Sequence, residues 1–347
     1  MTEGVLVSGG AGYVGSHACK ALAAAGFRPV TLDNLSVGRR EAVRWGPLEV
    51  GDILDARRVR EVVAAHKPVA VMHFAAVALV GESVAEPALY WRTNLTGTIN
   101  LLDACRAVGV ASFILSSTCA VYGVPDVIPI REGTPEKPVN PYGASKLAAE
   151  WAAAHYCAAY GLRASSLRYF NAAGADPDGE IGEVRAQETH LIPLALDAVL
   201  GRGPSLKIMG SDYPTEDGTA VRDYVHVSDL ADAHVSALRH LLAGGQSFVA
   251  NLGTGVGHSV REVVEAVERV TGRKVPREVA GRRPGDPPKL VADPALARRL
   301  LGIDFALSES LDDIVETAWR WRLSHGGKRI AGNARAAQPA AATGCSP

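Results

Sequence analysis

The segment Val5-Leu6-Val7-Ser8-Gly9-Gly10-Ala11-Gly12-Tyr13-Val14-Gly15 leaves the chain few choices of fold. Its apolar, β-branched start reads as a short strand, and glycines at 9, 12 and 15 permit a tight turn directly into a helix. Such glycines let backbone N–H groups approach a pyrophosphate and let the helix pack closely on the sheet, with its positive end facing the phosphates. A second strand, residues 30–32, ends in Asp33, 18 residues beyond Gly15. A carboxylate there accepts hydrogen bonds from an adenine ribose and repels a 2′-phosphate, which favours NAD over NADP. Arg39 and Arg40 fall too far past the strand end to hold that phosphate. Asp52, after a candidate third strand, either reaches the adenine ring or caps a helix.

The same alternation continues downstream. Residues 69–74, 113–116 and 164–167 read as strands; residues 13–25, 59–66, 90–107 and 141–160 read as helices. Strands alternating with helices make right-handed βαβ units, so the predicted fold class is α/β: a Rossmann-like doubly wound parallel sheet with a smaller C-terminal α/β domain. Residues 171–190 and 210–222 are rich in Gly, Asp and Pro and read as long loops of the functional kind. Residues 225–240 resume a strand-to-helix pattern, and 251–257 form a turn. The expected organisation is a cofactor domain from residues 1–170 and about 220–253, and a substrate domain from about 171–219 and 254–325. Residues 326–347, rich in Ala, Gly, Pro and Ser, are expected to be disordered.

Composition removes other classes. A net charge of −1 gives no general attraction to nucleic acid or to an anionic membrane surface. Cys19, Cys105, Cys119, Cys157 and Cys345 are scattered, without metal-ligand spacing, so no metal is expected and the thiols read as reduced. The absence of a leader pattern or a long apolar run predicts a cytoplasmic protein.

Chemistry enters with Tyr142-Gly143-Ala144-Ser145-Lys146, which sets a phenol and an ammonium one helical turn apart. A free phenol titrates near 10, so a base working near neutrality must come down by about 3 units, roughly 4 kcal/mol. One close ammonium supplies about 1–3 units. The charge of oxidised nicotinamide is expected to add the rest, so Tyr142 should titrate lower beside NAD⁺ than beside NADH. Phe113-Ile114-Leu115-Ser116-Ser117-Thr118 ends a strand in hydroxyls at the carboxyl edge, where doubly wound sheets bind ligands. Thr118 is placed to hydrogen-bond the oxygen whose proton Tyr142 removes.

With these residues in place the chain resembles the extended short-chain dehydrogenase/reductases, and among them the UDP-glucose 4-epimerases, over residues 5–321. The resemblance rests on the glycine turn through Ser16-His17, Leu32-Asp33-Asn34-Leu35, Gly51-Asp52-Ile53, His73-Phe74-Ala75-Ala76 and Val80-Gly81-Glu82-Ser83. It continues in residues 141–146, Arg168-Tyr169-Phe170-Asn171, residues 212–218, Val221-Arg222-Asp223-Tyr224, Arg283 and Gly285-Asp286. The block at 212–218 with Arg222-Asp223-Tyr224 is its most specific part.

The resemblance implies a tightly held NAD contacted by Gly9, Gly12, Tyr13, Val14, Gly15, Asp33, Asn34, Asp52, Ile53, Phe74, Ala75, Ala76, Asn94, Ser116, Tyr142, Lys146 and Tyr169. It implies that Tyr142, assisted by Thr118, takes the sugar 4-hydroxyl proton while C4 gives hydride to the cofactor, and that hydride returns to the opposite face. Lys146 orients the nicotinamide ribose and lowers the Tyr142 pKa. Thr118, Tyr142, Asn171, Leu191, Arg222, Arg283, Asp286 and Leu290 face the UDP-sugar, the arginines clamping its diphosphate. A homodimer through the helices at 90–107 and 141–160 is also implied.

Departures from the family pattern sharpen these expectations. Ala78 stands where some members carry lysine, Thr118 replaces a serine, and His190 replaces an asparagine. Leu290 is smaller than the tyrosine of glucose-specific members, which opens limited action on UDP-N-acetylglucosamine. UDP-xylose/UDP-arabinose epimerisation shares nearly all of these residues, whereas UDP-glucuronate would need a partner for its carboxylate. A dehydratase needs an Asp-Glu pair after the active-site Thr, and Cys119-Ala120 stand there instead. A simple reductase would exchange its cofactor, and a non-catalytic NAD sensor would lack the Tyr–Lys pair. Galactose metabolism and supply of exopolysaccharide precursors both remain open as the pathway served.

Overall fold

The chain was analysed as a computed structural model, which describes residues 2–185, 187–283 and 285–325. The tail at 326–347, expected to be disordered, lies outside them. In the first half, β1 (Gly4–Ser8), α1 (Tyr13–Ala24), β2 (Arg28–Asp33), β3 (Leu48–Val50), α2 (Ala56–His66) and β4 (Ala70–His73) follow in turn. Next come α3 (Val80–Ala85), α4 (Pro87–Tyr90), α5 (Gly97–Val108), β5 (Ser112–Thr118), α6 (Pro141–Tyr160) and β6 (Arg163–Tyr169). The second half holds β7 (Asn171–Ala173), α7 (Leu191–Val199), β8 (Leu206–Met209), β9 (Val221–His226), α8 (Val227–Leu242) and β10 (Phe248–Leu252). It ends with β11 (Gly257–Ser259), α9 (Val260–Thr271), β12 (Arg277–Ala280), β13 (Lys289–Leu290), α10 (Ala295–Leu301) and α11 (Leu311–His325).

Seven parallel strands form the main sheet in the order β3-β2-β1-β4-β5-β6-β10. Both faces are covered, so the strands are apolar at successive positions. Val5, Val7, Met72 and Ile114 pack toward α1 and α8, whereas Leu6, Val71, Phe113 and Leu115 pack toward α2, α5 and α6. The direction of winding reverses between β1 and β4, the crevice where doubly wound sheets bind ligands.

Several expectations are corrected. The helix expected over residues 90–107 is interrupted by a π turn at Trp91–Thr96, which carries the buried Asn94. Such turns widen a helix by one residue and are frequent at functional sites. The segment read as a loop over 171–190 includes β7, and the one over 210–222 runs into β9. The stretch 220–253 is shared: β9 pairs with β7, β11 and β13, and β10 forms the edge of the main sheet.

This second, four-stranded sheet is made of very short strands, and a buried carboxylate staples them. Asp223 accepts hydrogen bonds from Thr254 N (2.9 Å), Thr254 Oγ1 (2.8 Å), Gly255 N (3.0 Å) and Ala292 N (3.2 Å). Helices α7, α9 and α11 share an apolar cluster beneath it. α9 opens with a full capping box between Ser259 and Glu262. Among the described residues, no helix is long and apolar enough to cross a membrane.

Candidate active site

The glycine turn is packed so tightly that side chains are excluded. Gly9 sits at φ +76°, and a Cβ there would meet Ala75 N at 2.5 Å. A Cβ on Gly15 would lie 2.2 Å from Gly9 O. Gly12 is the N-cap of α1 and supplies no capping side chain, so the helix N-terminus stays open to an anion. Tyr13 and Val14 form its first turn, and the Tyr13 hydroxyl donates to Gly174 O at 2.7 Å, tying this turn to the segment after β7.

Asp33 ends β2 and accepts from Ala11 N (3.0 Å) and Leu35 N (2.8 Å). Burial raises its pKa and these two bonds oppose the rise. Gly38 leaves room over it, because a Cβ there would stand 2.8 Å from both carboxylate oxygens. Beside it, Asn34 Nδ2 donates to Asp52 Oδ2 (2.9 Å), and Asp52 Oδ1 accepts from Leu54 N (2.8 Å). Asp52 is not the cap of α2; Asp55 accepts from Arg57 N and Arg58 N instead. Ile53 is buried against Gly97. After β4, Phe74 N and Ala75 N both donate to Ser8 O (2.8 and 3.0 Å), which sets residues 74–76 across from the glycine turn. This cradle, with a carboxylate at one end and an uncapped helix beside it, fits a dinucleotide.

The residues expected to transfer the proton stand at the carboxyl end of β5 and at the start of α6. Asn140 caps α6 by accepting from Gly143 N (2.9 Å), with Pro141 in the first turn as expected. Tyr142 stands beside Thr118, whose hydroxyl favours the phenolate. Burial pushes the phenol up to about 12 despite Thr118, and Cys119 adds to the rise. Lys146 was expected to pull the phenol down, but the cation that lowers it here is Arg185, and burial outweighs that. Lys146 is itself buried and brought down to about 8, with Glu150 acting against the fall. The Tyr90 ring meets Tyr142 edge-on at 6.3 Å. Ser116 and the Tyr169 hydroxyl are hydrogen-bonded at the adjoining strand ends. Asn94 holds the backbone of Val77 at both N–H and C=O (3.0 Å each) and donates to Ser145 Oγ at 3.0 Å.

Opposite lie the residues expected to face the sugar nucleotide. Arg222 Nη2 meets Asp286 Oδ1 at 2.5 Å. Leu290 pairs in register with Arg222 and is buried in one cluster with Cys119, Leu147 and Phe170. Asn171 starts β7 and Leu191 starts α7. Arg283 is exposed and meets Asp286 only through the backbone, with Asp286 N 3.3 Å from Arg283 O. The neighbouring Arg282 is the one that forms an ion pair, with Asp212, and lies over the Tyr213 ring.

The structure adds partners that the sequence reading did not give, among them for His190. Arg185 and His190 both pair with the buried Glu183 (2.6 and 2.8 Å) in the loop before α7. Glu150 continues the one-turn spacing of Tyr142 and Lys146, a repeat visible in the sequence.

A dinucleotide cradle at a topological switch point, with a Tyr-x-x-x-Lys pair on the adjacent helix, defines a nicotinamide-dependent enzyme of the short-chain dehydrogenase/reductase type. The profile of the NAD dependent epimerase/dehydratase family matches residues 5–253. The UDP-glucose 4-epimerase of Rhizobium leguminosarum bv. trifolii is 53% identical over 92% of this chain and 97% of its own length. The crystal structure of the Brucella ovis UDP-glucose 4-epimerase in complex with NAD is 54% identical, with a TM-score of 0.89 over 92% of this chain and 98% of that one. The Stenotrophomonas maltophila UDP-glucose 4-epimerase, solved with NAD and formylated UDP-arabinopyranose, is 38% identical with a TM-score of 0.90 over 94% and 99%. The chain belongs to the NAD dependent epimerase/dehydratase family, among its UDP-glucose 4-epimerases.

Proposed function

We propose that this enzyme interconverts UDP-glucose and UDP-galactose by inverting C4, with the main sheet as its NAD-binding unit and the residues around the second sheet as its nucleotide-sugar unit. The placement of Tyr142 beside Thr118, whose hydroxyl favours the phenolate, and one turn from Lys146 on the same helix carries this reading. Gly9, Gly12, Tyr13, Val14, Gly15, Asp33, Asn34, Asp52, Ile53, Phe74, Ala75, Ala76, Asn94, Ser116 and Tyr169 surround the cofactor. Bound NAD supplies a hydride acceptor, then donor, at C4 and a positive charge near the phenol. Tyr142 takes the proton of the 4-hydroxyl and later returns it, while Thr118 shares its hydrogen bond with that oxygen. Lys146 holds the nicotinamide ribose. Asn171, Leu191, Arg222, Arg283 and Asp286 hold the UDP, so that the sugar can turn over between the two hydride steps. Cys119-Ala120 after Thr118 offer no acid to expel water, which favours epimerisation over dehydration.

Purified protein with no added NAD is expected to convert UDP-galactose to UDP-glucose; a strict need for added cofactor would overturn the resident-NAD mechanism. Leu290, lining the apolar cluster beside Cys119 and Phe170, supports a secondary turnover of UDP-N-acetylglucosamine that rises in Leu290→Ala. No turnover of that sugar by either form would dismiss it. Exposed Trp91, Trp151 and Tyr160 on the α5–α6 side support a homodimer, checked by light scattering. The free thiols of Cys19, Cys105, Cys119 and Cys157 suit the cytoplasm.

A further inference from the structure

Next to the proton-transfer pair, on the same helix and the same strand ends, lies a buried ionic network. Glu150 and Arg168 are almost completely buried. Arg168 Nε lies 3.0 Å from Glu150 Oε1 and 3.2 Å from Oε2, and its Nη2 lies 2.5 Å from Oε2. Ser117 Oγ donates to Glu150 Oε1. The guanidinium also donates to the Tyr122 hydroxyl (2.9 Å) and to Glu136 (2.6 Å), and Tyr122 passes the chain to Asn251 Oδ1 on β10 (2.7 Å).

The placement matters more than the number of bonds. Ser117 immediately precedes Thr118, and Arg168 immediately precedes Tyr169; the two pairs are register partners across β5 and β6. Glu150 is one turn beyond Lys146 and two beyond Tyr142 on the same helix. A carboxylate without a partner would be costly at this depth, whereas the fork of Arg168 matches it in geometry. One carboxylate therefore fixes the catalytic helix to both catalytic strand ends.

We propose that Glu150 is a positioning residue for the proton-transfer pair: held by Arg168 and Ser117, it sets where α6 rides on β5 and so keeps Tyr142 on Thr118 and Lys146 facing the cradle. This rests on the reading of Tyr142 and Lys146 given above. Glu150 also raises the pKa of Lys146, offsetting part of the fall by which burial brings it to about 8. The remaining titratable groups there are Tyr142 on α6, Tyr169 on β6, Tyr90 on α4 and His73 on β4, the last kept neutral by burial and by Lys146.

The test is Glu150→Gln, which keeps shape and removes charge. With Lys146 required as an ammonium, activity is lost as pH rises through its pKa, so removing the carboxylate should move that alkaline limb down by about 1 pH unit. At pH 8.5, kcat should fall about tenfold with KM for UDP-galactose within about twofold and co-purified NAD unchanged. Glu150→Asp should bring the limb most of the way back. An unmoved limb overturns the proposal, whether kcat holds or falls together with the melting temperature. Should Glu150→Gln not fold, Ser117→Ala decides: a loss of about threefold in kcat at an unchanged melting temperature supports the proposal, and wild-type kcat overturns it. Tyr142→Phe, assayed alongside, separates the two readings. If it is inactive while Glu150→Gln keeps the wild-type limb, only the role of Glu150 fails; if it is active, both fail.

Discussion

The main sheet and the second sheet reach order by opposite means. In the first, β1, β4 and β5 are buried along almost their whole length, and their alternate apolar residues feed two separate cores. In the second, β7 and β11 have three residues each and β13 has two, too few to bury much surface. There the staple is polar: Asp223, buried and satisfied by four donors, joins β9 to the turns at 254–255 and to Ala292. In the proposed function, hydrophobic periodicity makes the floor under the cofactor, and a carboxylate clip shapes the wall assigned to the substrate. Substitutions in the floor should therefore strike kcat, and those in the wall should strike KM.

The largest expected effect is on the floor side. Tyr142→Phe should lower kcat by about 10³-fold with little change in KM, since it removes the group that exchanges the proton. Steady-state kinetics check this, and a KM effect of similar size would break the division. Arg222→Leu is its counterpart on the wall: Asp286 loses its partner at 2.5 Å, and KM for UDP-galactose should rise about 30- to 100-fold while kcat stays within severalfold. Asp223→Asn should destabilise by about 2 kcal/mol, because an amide cannot accept all four bonds. Denaturant titration measures that loss, and a matching rise in KM ties the clip to the wall.

The smallest effect belongs to acid stability. His234 is buried beneath Phe74 and Tyr169, with its pKa lowered by burial from 6.5 to about 4. The unfolded chain takes up that proton first, so stability is lost as pH falls below 6.5 toward 4. At pH 5.5 the loss should be on the order of 1 kcal/mol for this residue. His234→Phe should flatten the pH dependence of the melting temperature by that amount. Identical slopes for variant and wild type would show that this histidine does not sense acid. A related comparison concerns the phenol itself, held near 12 by burial. Its ultraviolet titration should begin at lower pH beside NAD⁺ than beside NADH, and equal curves would rule out the cofactor charge as its activator.

The contrast between the sheets also explains what the sequence disclosed. The glycine turn, the parallel strands and the Tyr142–Lys146 helix were legible because each is written in local spacing. The parallel sense of the main sheet follows from the alternation of strands and helices. β11 and β13 are too short to carry a period, and Asp223 reads as an ordinary surface acid until the fold buries it. The π turn at Trp91–Thr96 depends on the tertiary demands of Asn94, so residues 90–107 looked like one helix. α9 was a different matter, since Ser259, Glu262 and the terminal Gly272 were signals available in the chain. For the site, the glycine turn, Asp33 and the Tyr142 helix could be named from local spacing, whereas Arg185 needed three dimensions to be noticed, and Glu150 showed only its one-turn spacing until the fold buried it against Arg168.

The ion pair between Arg222 and Asp286 has an entropic side. A free arginine samples many rotamers, and ordering one on binding costs about 0.5–1.5 kcal/mol. Here the guanidinium is already anchored at both ends, by Asp286 and by the Val221 carbonyl at 2.8 Å. In the proposed function, an incoming diphosphate therefore meets a cation that is already held in place. It must instead compete with, or share, the carboxylate, so the two anions divide one guanidinium. Such an arrangement trades some attraction for speed of release, which suits an enzyme whose substrate and product carry the same nucleotide.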